Sequence, residues 1–300
     1  MVENAALIRR PVTIKSFLVP LLTRPAVAKF IKYAVYLFLV VNFGVYTVQD
    51  YFAYKAALSS NAPWSEILEQ FATTIDTAAW LGLVFLFELE THALSDEAFK
   101  GWIPKILRVG RLICYVSISY AAYGYIAESL DNYNVKLLAD VSSACQLADQ
   151  GTSLQLNSII YEEITAANCS SLSDDNVFYQ VTGEVSVVDR DTLEMNRWMD
   201  WINVNNALVW LIVVFLIEVE VYLQAADRFS SRALAVARQI KTFFYLVLIA
   251  NAVIWSFTGY ALYTWDAFLW IFGFWAIELN LAEWEQDRLQ ELAVARDTGR

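Results

Sequence analysis

The chain has 300 residues, of which 58% are hydrophobic, and it carries a formal net charge of −11. A soluble domain usually contains about 45–50% apolar residues, so this composition indicates a membrane protein. The acidic balance argues against nucleic acid as a partner, because binding of phosphate groups requires a basic surface.

The first predicted element is a cytoplasmic segment, residues 1–30, that lies at the membrane interface. Pro11, Pro20 and Pro25 interrupt its mixture of apolar and basic residues. Such interruptions favour short pieces lying on the lipid surface over a helix that crosses the bilayer.

Six apolar runs of roughly 20 residues follow, and a helix of that length crosses a hydrocarbon core of about 30 Å. All 21 Lys and Arg residues lie outside the apolar centres of these runs, as expected because burying one in lipid costs several kcal/mol. The sequence predicts an all-α membrane protein with three helices in residues 31–129 and three in residues 201–282. The six predicted spans are residues 31–50, 72–91, 110–129, 202–222, 242–262 and 264–282.

Basic residues cluster in alternate connections, and this pattern predicts the orientation in the membrane. They precede the first span and lie in the second–third and fourth–fifth connections, whereas residues 130–201 hold three basic and 12 acidic residues. An even number of spans then places both termini in the cytoplasm, in a plasma or inner membrane. Residues 283–300 are predicted to be a charged helical tail on the cytoplasmic side.

Residues 130–200 are predicted to form a small extracytoplasmic insertion between the third and fourth spans. Cys145 and Cys169 both lie in it, and an oxidising compartment on that side would allow them to pair. Closing a loop of about 25 residues would stabilise the insertion by roughly 3 kcal/mol.

The insertion has mixed secondary-structure signals. Helices are expected at 136–149 and 154–167, while residues 179–188 alternate in the manner of a strand. Asp191 and Glu194 have the spacing of a capping box. They predict a helix that starts there and continues without a break into the fourth span.

The even spans share a repeated sequence, which predicts three helical hairpins related by an approximate threefold pseudo-repeat. The second span reads WLGLVFLFELE, the fourth WLIVVFLIEVE and the sixth WIFGFWAIELN, so Trp and Glu recur eight residues apart. The odd spans repeat a polar position more weakly. The aligned residues are Trp80, Trp210 and Trp270; Glu88, Glu218 and Glu278; Glu90, Glu220 and Asn280; and, in the odd spans, Asn42, Ser119 and Asn251.

Two interpretations apply to the repeated glutamates, which are predicted to lie near the cytoplasmic boundary. In the first, each pairs with a basic residue that opens an odd span. In the second, the hairpins surround an axis and Glu88, Glu218 and Glu278 form an acidic ring for a cation or a proton, with Glu90, Glu220 and Asn280 just beyond it. The basic residues of the first interpretation are Lys32, Arg111 and Lys241.

A metal site is a third hypothesis, because His92, the only histidine, follows Glu88 by four residues on one helix face. With Glu218 and Glu278 it could hold iron or manganese. A two-metal carboxylate site normally uses two histidines, which argues against this hypothesis, and no cofactor is predicted.

The polar residues in the middle of the odd spans also have two interpretations. Asn42, Ser119 and Asn251 could join helices through hydrogen bonds, each contributing about 0.6–2 kcal/mol. Alternatively, they could line a conduction path. Whether the side chains meet one another or face a cavity distinguishes these interpretations.

The leading functional hypothesis is a non-catalytic membrane subunit that binds protein partners or a second copy of itself. Its contact surfaces would be the acidic insertion and the C-terminal tail, and the lipid bilayer would surround its helices. The alternative is a cation or proton channel or transporter that uses the glutamate ring. A metal-dependent membrane enzyme is the third possibility.

Overall fold

Long helices make up most of the molecule. The computed structural model describes residues 25–89, 102–225 and 231–274, and a small β-sheet lies in the insertion between two of its long helices. The expectation of an all-helical protein is therefore wrong for the insertion. The helices are α1 (Pro25–Ala57), α2 (Trp64–Gln70), α3 (Ala72–Glu88), α4 (Ile103–Asp131), α5 (Cys169–Leu172), α6 (Arg190–Ala225), α7 (Ser231–Phe257) and α8 (residues 261–274).

Three helices of the described part of the chain are long and apolar enough to cross a membrane. They are Phe30–Ala57, Arg190–Val219 and Val236–Phe257, and a pair of shorter helices, α2 and α3, bent by 64° at their junction, is a fourth candidate. Large apolar side chains on these helices are exposed, as expected of surfaces that contact lipid. These helices are compatible with a membrane protein.

The other predicted spans have a different status. The span predicted at 110–129 lies within α4, which is not among the helices that reach this apolarity in the described residues. The span predicted at 264–282 continues past residue 274, beyond the described residues. Six spans and the threefold repeat therefore stay predictions.

The described residues form two compact units. Val40–Ala267 makes the larger one, which contains the sheet, and the smaller one consists of the described parts of Met1–Leu39 and Phe268–Arg300. Within the smaller unit, α1 and α8 approach closely. A Cβ atom built on Gly273 would lie 3.4 Å from Cγ1 of Val35.

Small residues allow α3 and α4 to pack closely. A Cβ atom on Gly82 would lie 3.0 Å from the Sγ atom of Cys114, and one on Gly124 would lie 3.1 Å from Cβ of Ala72. Close approach of backbones is a common means of joining helices in a membrane, where the hydrophobic effect does not drive association. α4 also packs against α6, and α6 packs against α7.

The insertion folds as a five-stranded sheet with the strand order β1-β4-β5-β2-β3. Neighbouring strands are antiparallel, except for β2 and β5, which are parallel. The strands are β1 (Val135–Leu137), β2 (Ser153–Asn157), β3 (Ile160–Glu163), β4 (Phe178–Val181) and β5 (Val187–Asp189).

The helices expected at 136–149 and 154–167 are wrong. β1 and a short 3-10 helix (Ala144–Leu147) occupy the first range, and the β2–β3 hairpin occupies most of the second. The Oδ1 atom of Asn157 accepts the backbone N–H groups of Ile159 and Ile160, both at 2.9 Å. An Asn that binds its own following backbone favours a turn over a helix.

The strand expected at 179–188 is correct in part. β4 and β5 occupy its two ends, and a turn containing Gly183 separates them. Gly183 has a φ of +95°, which side chains other than glycine rarely adopt.

The predicted disulfide is confirmed. Cys145 and Cys169 are joined with a Cα–Cα distance of 4.8 Å. Cys169 belongs to the core of the insertion, in which Leu154, Ile164 and Phe178 are fully buried. The bridge therefore closes the loop that carries the β2–β3 hairpin.

The continuous helix predicted to enter the fourth span is also confirmed, although its start differs. α6 runs for 36 residues from Arg190 to Ala225, a length of roughly 54 Å at 1.5 Å per residue. Asp189 caps it, because its Oδ1 accepts the backbone N–H of Thr192 at 2.8 Å. The cap therefore precedes the predicted Asp191.

Candidate functional site

Only part of the predicted glutamate ring is described. Glu88 is half-buried at the end of α3, while Glu218 is exposed on α6 and accepts a hydrogen bond from the Tyr115 hydroxyl at 2.6 Å. The ring and its ion pairs therefore stay predictions. Glu90, His92, Glu278, Asn280 and the side chain of Glu220 lie outside the described residues.

The predicted basic partners occupy different environments. Lys241 is buried and Arg111 is half-buried. The ammonium group of Lys32 lies 5.8 and 5.9 Å from the ring centroids of Tyr33 and Tyr36, within range of a cation–π interaction. Among the described residues, no group of three or more His, Cys, Asp or Glu side chains is placed to hold a metal ion.

The repeated tryptophans lie in aromatic contacts. The ring centroids of Trp80 and Trp210 are 5.9 Å apart, and Trp210 also meets Tyr245 at 6.5 Å. Trp270 packs against Phe274 in the smaller unit at 6.1 Å. The structure thus brings the aligned residues of α3 and α6 together.

The three mid-span polar residues do not share one environment. Asn42 is buried and donates from Nδ2 to Oδ1 of Asp266 at 2.7 Å. Asn251 is buried and accepts at Oδ1 from Asn205 at 3.2 Å. Ser119 is exposed. The two asparagines therefore join helices through different partners.

A cavity of about 330 Å³ lies between the insertion and the adjoining ends of the helices, and several acidic side chains line its walls. They come from α1, α2, α4 and the β4–β5 turn. None of the described lining residues is Lys, Arg or His. The six lining carboxylates belong to Asp50, Glu66, Glu69, Glu128, Asp131 and Glu184.

Helical spacing explains four of these positions. Glu66 and Glu69 are three residues apart on α2, and Glu128 and Asp131 are three residues apart at the end of α4. Residues with this spacing lie on one face of a helix. Each helix therefore presents a pair of carboxylates to the cavity.

Asp50 lines the cavity and also caps the start of α3. Its side chain is buried in α1, and its Oδ2 accepts the backbone N–H of Thr74 at 2.9 Å. Thr74 lies in the first turn of α3, where backbone N–H groups have no partner within the helix. This bond joins α1 to the start of α3.

The β4–β5 turn closes the cavity from the side of the insertion. The backbone N–H of Val185 donates to the carbonyl oxygen of Ala57 at 2.7 Å, which holds the turn against the end of α1. A Cβ atom on Gly183 would lie 3.6 Å from Oε1 of Glu66. The turn therefore lies within van der Waals contact distance of the Glu66 side chain.

Burial and the proximity of other carboxylates raise the pKa of acidic groups in the cavity. The pKa of Glu184 is raised to about 7, chiefly by burial and partly by the nearby Asp131, Asp200 and Glu66, although the hydrogen bond from Ser186 lowers it. Burial also raises the pKa of Asp131. A bound cation would favour the ionised carboxylates and lower these pKa values.

A buried hydrogen-bond network supports the cavity wall. Both carboxylate oxygens of Asp200 accept bonds, one from Nδ2 of Asn132 at 2.6 Å and one from Oγ of Ser158 at 2.7 Å. The hydroxyl of Tyr260 lies 3.3 Å from the same Oγ. Asn132 and Ser158 line the cavity, so the network fixes its walls to α6 and to the start of α8.

One buried amide in the wall has an unused acceptor. Gln155 of β2 lines the cavity and is only 4% exposed. Its Nε2 donates to the hydroxyl of Tyr161 at 3.1 Å, while its Oε1 has no hydrogen-bond partner. A buried acceptor without a donor costs about 1–3 kcal/mol. A ligand that brings an N–H group would remove that cost.

Comparison of the chain with protein-family models, with curated proteins and with solved structures finds no match. The cavity itself is therefore the basis for a functional argument. All charged side chains among its described lining residues are acidic.

This cavity is not the site predicted from the repeats. It lies at the start of α3, where Ala72 and Thr73 line it, whereas Glu88 is at the opposite end of the same helix. At 1.5 Å per residue, Thr73 and Glu88 are roughly 22 Å apart along the helix. The acidic pairs Glu66/Glu69 and Glu128/Asp131 can be seen in the sequence, but they belong to no known motif that would have marked them as a site.

Proposed function

We propose that this protein is a multi-pass membrane protein that binds a cationic ligand in its acidic cavity. The single observation that carries the proposal is the set of six carboxylates without a basic side chain among the described lining residues. An acidic cleft with low-dielectric walls concentrates cations, because its field lines are focused within it.

The predicted topology gives this binding a direction. Basic residues are concentrated at the helix ends away from the insertion, and the positive-inside rule assigns those ends to the cytoplasm. The cavity borders the insertion and would then be open to ligands from outside the cytoplasm. The proposal therefore keeps the hypothesis of cation binding from the sequence, but places the site at the ends of the helices beside the insertion and not at the glutamate ring.

Two further carboxylates support a cationic ligand. Asp76 follows the lining residue Thr73 by three residues on α3, and Asp266 follows the lining residue Tyr263 by three residues on α8. Each is about one helical turn further along. Acidic side chains therefore continue beyond the cavity lining. The carboxylate of Asp76 accepts a hydrogen bond at Oδ1 from Nε1 of Trp80 at 3.0 Å.

The test is a titration of the full chain, purified in mild detergent, with inorganic and organic cations by isothermal titration calorimetry. The double variant Glu66→Gln/Glu69→Gln should weaken binding about tenfold or more, because each lost charge removes an interaction of about 1 kcal/mol or more. The matched control is Glu163→Gln/Glu194→Gln, which removes two exposed charges outside the lining. Equal affinity of both variants would contradict the proposal.

A partner-binding subunit is the second candidate function. The observation that favours it is the exposure of apolar side chains on both edge strands of the sheet, Leu137 of β1 at 53% and Ile160 of β3 at 44%. Exposed sheet edges can pair with a strand of another protein. Co-purification of a protein at fixed stoichiometry, lost in Leu137→Lys or Ile160→Lys, would support it.

A further inference from the structure

The walls of the cavity distinguish between kinds of cation. A divalent metal ion needs several oxygen ligands that converge on one point at about 2.0–2.6 Å. No group of three or more acidic, His or Cys side chains among the described residues has such a placement. The carboxylates instead come from four different elements, α1, α2, α4 and the β4–β5 turn.

The size of the cavity fits an organic molecule. Its volume of about 330 Å³ lies at the lower end of the roughly 300–1,000 Å³ that is common for small-molecule sites. A dehydrated metal ion would leave most of this space to water. A short aliphatic chain with charged ends would occupy more of it.

Apolar and aromatic side chains share the cavity lining with the acidic groups. Leu58, Ile159 and Val181 line the same cavity, as do the rings of Tyr125 and Tyr263. Methylene groups can contact the aliphatic side chains, and an ammonium group is attracted to the face of an aromatic ring. The lining therefore offers surfaces for charge and surfaces for hydrocarbon.

Gln155 gives an independent indication of the ligand's chemistry. Its Oε1 is a buried acceptor without a donor, and Oε1 of Gln49, another lining residue, is also buried without a partner. An ammonium group carries three N–H donors and no acceptor. It could donate to a carboxylate and to such an amide oxygen at once.

We infer that the ligand is a linear aliphatic diamine or polyamine, with its ammonium groups bound to separate carboxylate groups and its methylene chain against the apolar lining. This inference rests on the proposed function and names the ligand class of the same site. The pair on α2 would take one ammonium group, and the pair at the end of α4 with Glu184 would take another.

The experiment compares probes that differ in one property at a time, by calorimetry on the full chain in detergent. The probes are 1,3-diaminopropane, putrescine, cadaverine and spermidine, with butylamine as the single-charge control and Ca²⁺ and Mg²⁺ as metal controls. We expect at least one diamine or polyamine to bind about 10- to 100-fold more tightly than butylamine, since it makes a second charge-assisted contact.

Gln155 provides the variant that tests the orphaned acceptor. Gln155→Leu should weaken diamine binding about tenfold, because it removes one hydrogen bond to a charged group. Gln155→Glu, which retains an acceptor at this position and adds a charge, should bind at least as tightly as the unaltered chain. Glu163→Gln is the control and should leave the affinity unchanged.

Three outcomes would overturn the inference. Equal affinity for butylamine and the diamines would show that one charge suffices. Tighter binding of Ca²⁺ or Mg²⁺, with displacement of the diamine, would assign the site to a metal ion. Both of these outcomes leave a cation-binding cavity in place, whereas no binding by any probe contradicts the proposed function as well.

Discussion

The Nδ2 atom of Asn132 lies 2.6 Å from Oδ2 of Asp200, and this hydrogen bond joins the end of α4 to α6 beside the acidic cavity. Both side chains are buried, with exposed fractions of 5% and 1%. The guanidinium Nε of Arg197, one turn earlier on α6, donates to the carbonyl oxygen of Asn132 at 2.8 Å. The junction between α4 and the insertion is therefore held by side chains of α6.

The first prediction concerns this junction. Asp200→Ala removes the acceptor for both Asn132 and Ser158 and leaves two buried donors unpaired. We expect a loss of stability of about 2 kcal/mol or more, measured as a lower midpoint of thermal unfolding in detergent. Asp200→Asn keeps an acceptor of the same shape and should lose less. An Asp200→Ala variant as stable as the unaltered chain would contradict this account of the junction.

The second prediction concerns the disulfide. Replacing Cys145 and Cys169 with Ser opens a loop of 24 residues in sequence separation, and this should cost the insertion roughly 3 kcal/mol. Limited proteolysis of the purified chain should then cut within the insertion at a higher rate. Cys114→Ser, which removes the free cysteine of α4, is the control and should leave the rate unchanged.

The third prediction concerns the packing of α3 on α4. Gly82→Ala places a Cβ atom 3.0 Å from Cys114 Sγ, so the helices must separate or the side chain must move. Overpacking of this kind costs about 1–3 kcal/mol, which a thermal melt in detergent would detect. Gly44→Ala in α1, where no atom lies within 4 Å of the new Cβ, should cost nothing. Adding Cys114→Ala to Gly82→Ala should restore part of the loss.

The fourth prediction concerns pH. Burial raises the pKa of Glu184 to about 7 from a usual value of 4.5, and the facing groups Asp131, Asp200 and Glu66 are all acidic. The folded chain then binds this proton more tightly than the unfolded chain does. The stability that the protonated Glu184 side chain contributes is therefore fully present below about pH 4.5 and is lost as the pH rises through about 7.

Glu184→Gln should remove that pH dependence. At pH 8 we expect the variant to be more stable than the unaltered chain by on the order of 1–3 kcal/mol in the free energy of unfolding, which a higher midpoint of thermal unfolding would show. At pH 4 we expect little difference. Glu163→Gln, a change of the same type at an exposed position, is the control. A stabilisation by Glu184→Gln that is equal at both pH values would show that ionisation of the buried Glu184 carboxylate is not its cause.

Local pattern was sufficient for the apolar helices and for part of the insertion. The apolar run after residue 201 and the signals before it predicted one continuous helix, and α6 is continuous over 36 residues. The shared location of Cys145 and Cys169 was enough to predict their pairing. These features depend on residues close together in the sequence, or on the chemistry of two thiols in one compartment.

The sheet required contacts that local pattern does not record. β2 pairs with β3 three residues later, but it also pairs in parallel with β5, which begins 30 residues further along the chain. Residues 154–167 contain enough apolar positions for a helix, so the choice of strand depends on partners that are distant in sequence. The pairing of β5 also explains why α6 is capped by Asp189 and does not start at the predicted Asp191, because Asp189 is the last residue of β5.

The sequence by itself was enough to predict long apolar helices and, between two of them, an acidic insertion with a disulfide. Only the tertiary structure decided which acidic side chains line one cavity. The cavity carboxylates extend from Asp50 to Glu184 in the sequence, and no spacing rule connects positions so far apart. They converge because the β4–β5 turn binds the end of α1 and because Asn132 and Ser158 bind Asp200, and these contacts exist only after the helices and the insertion have packed.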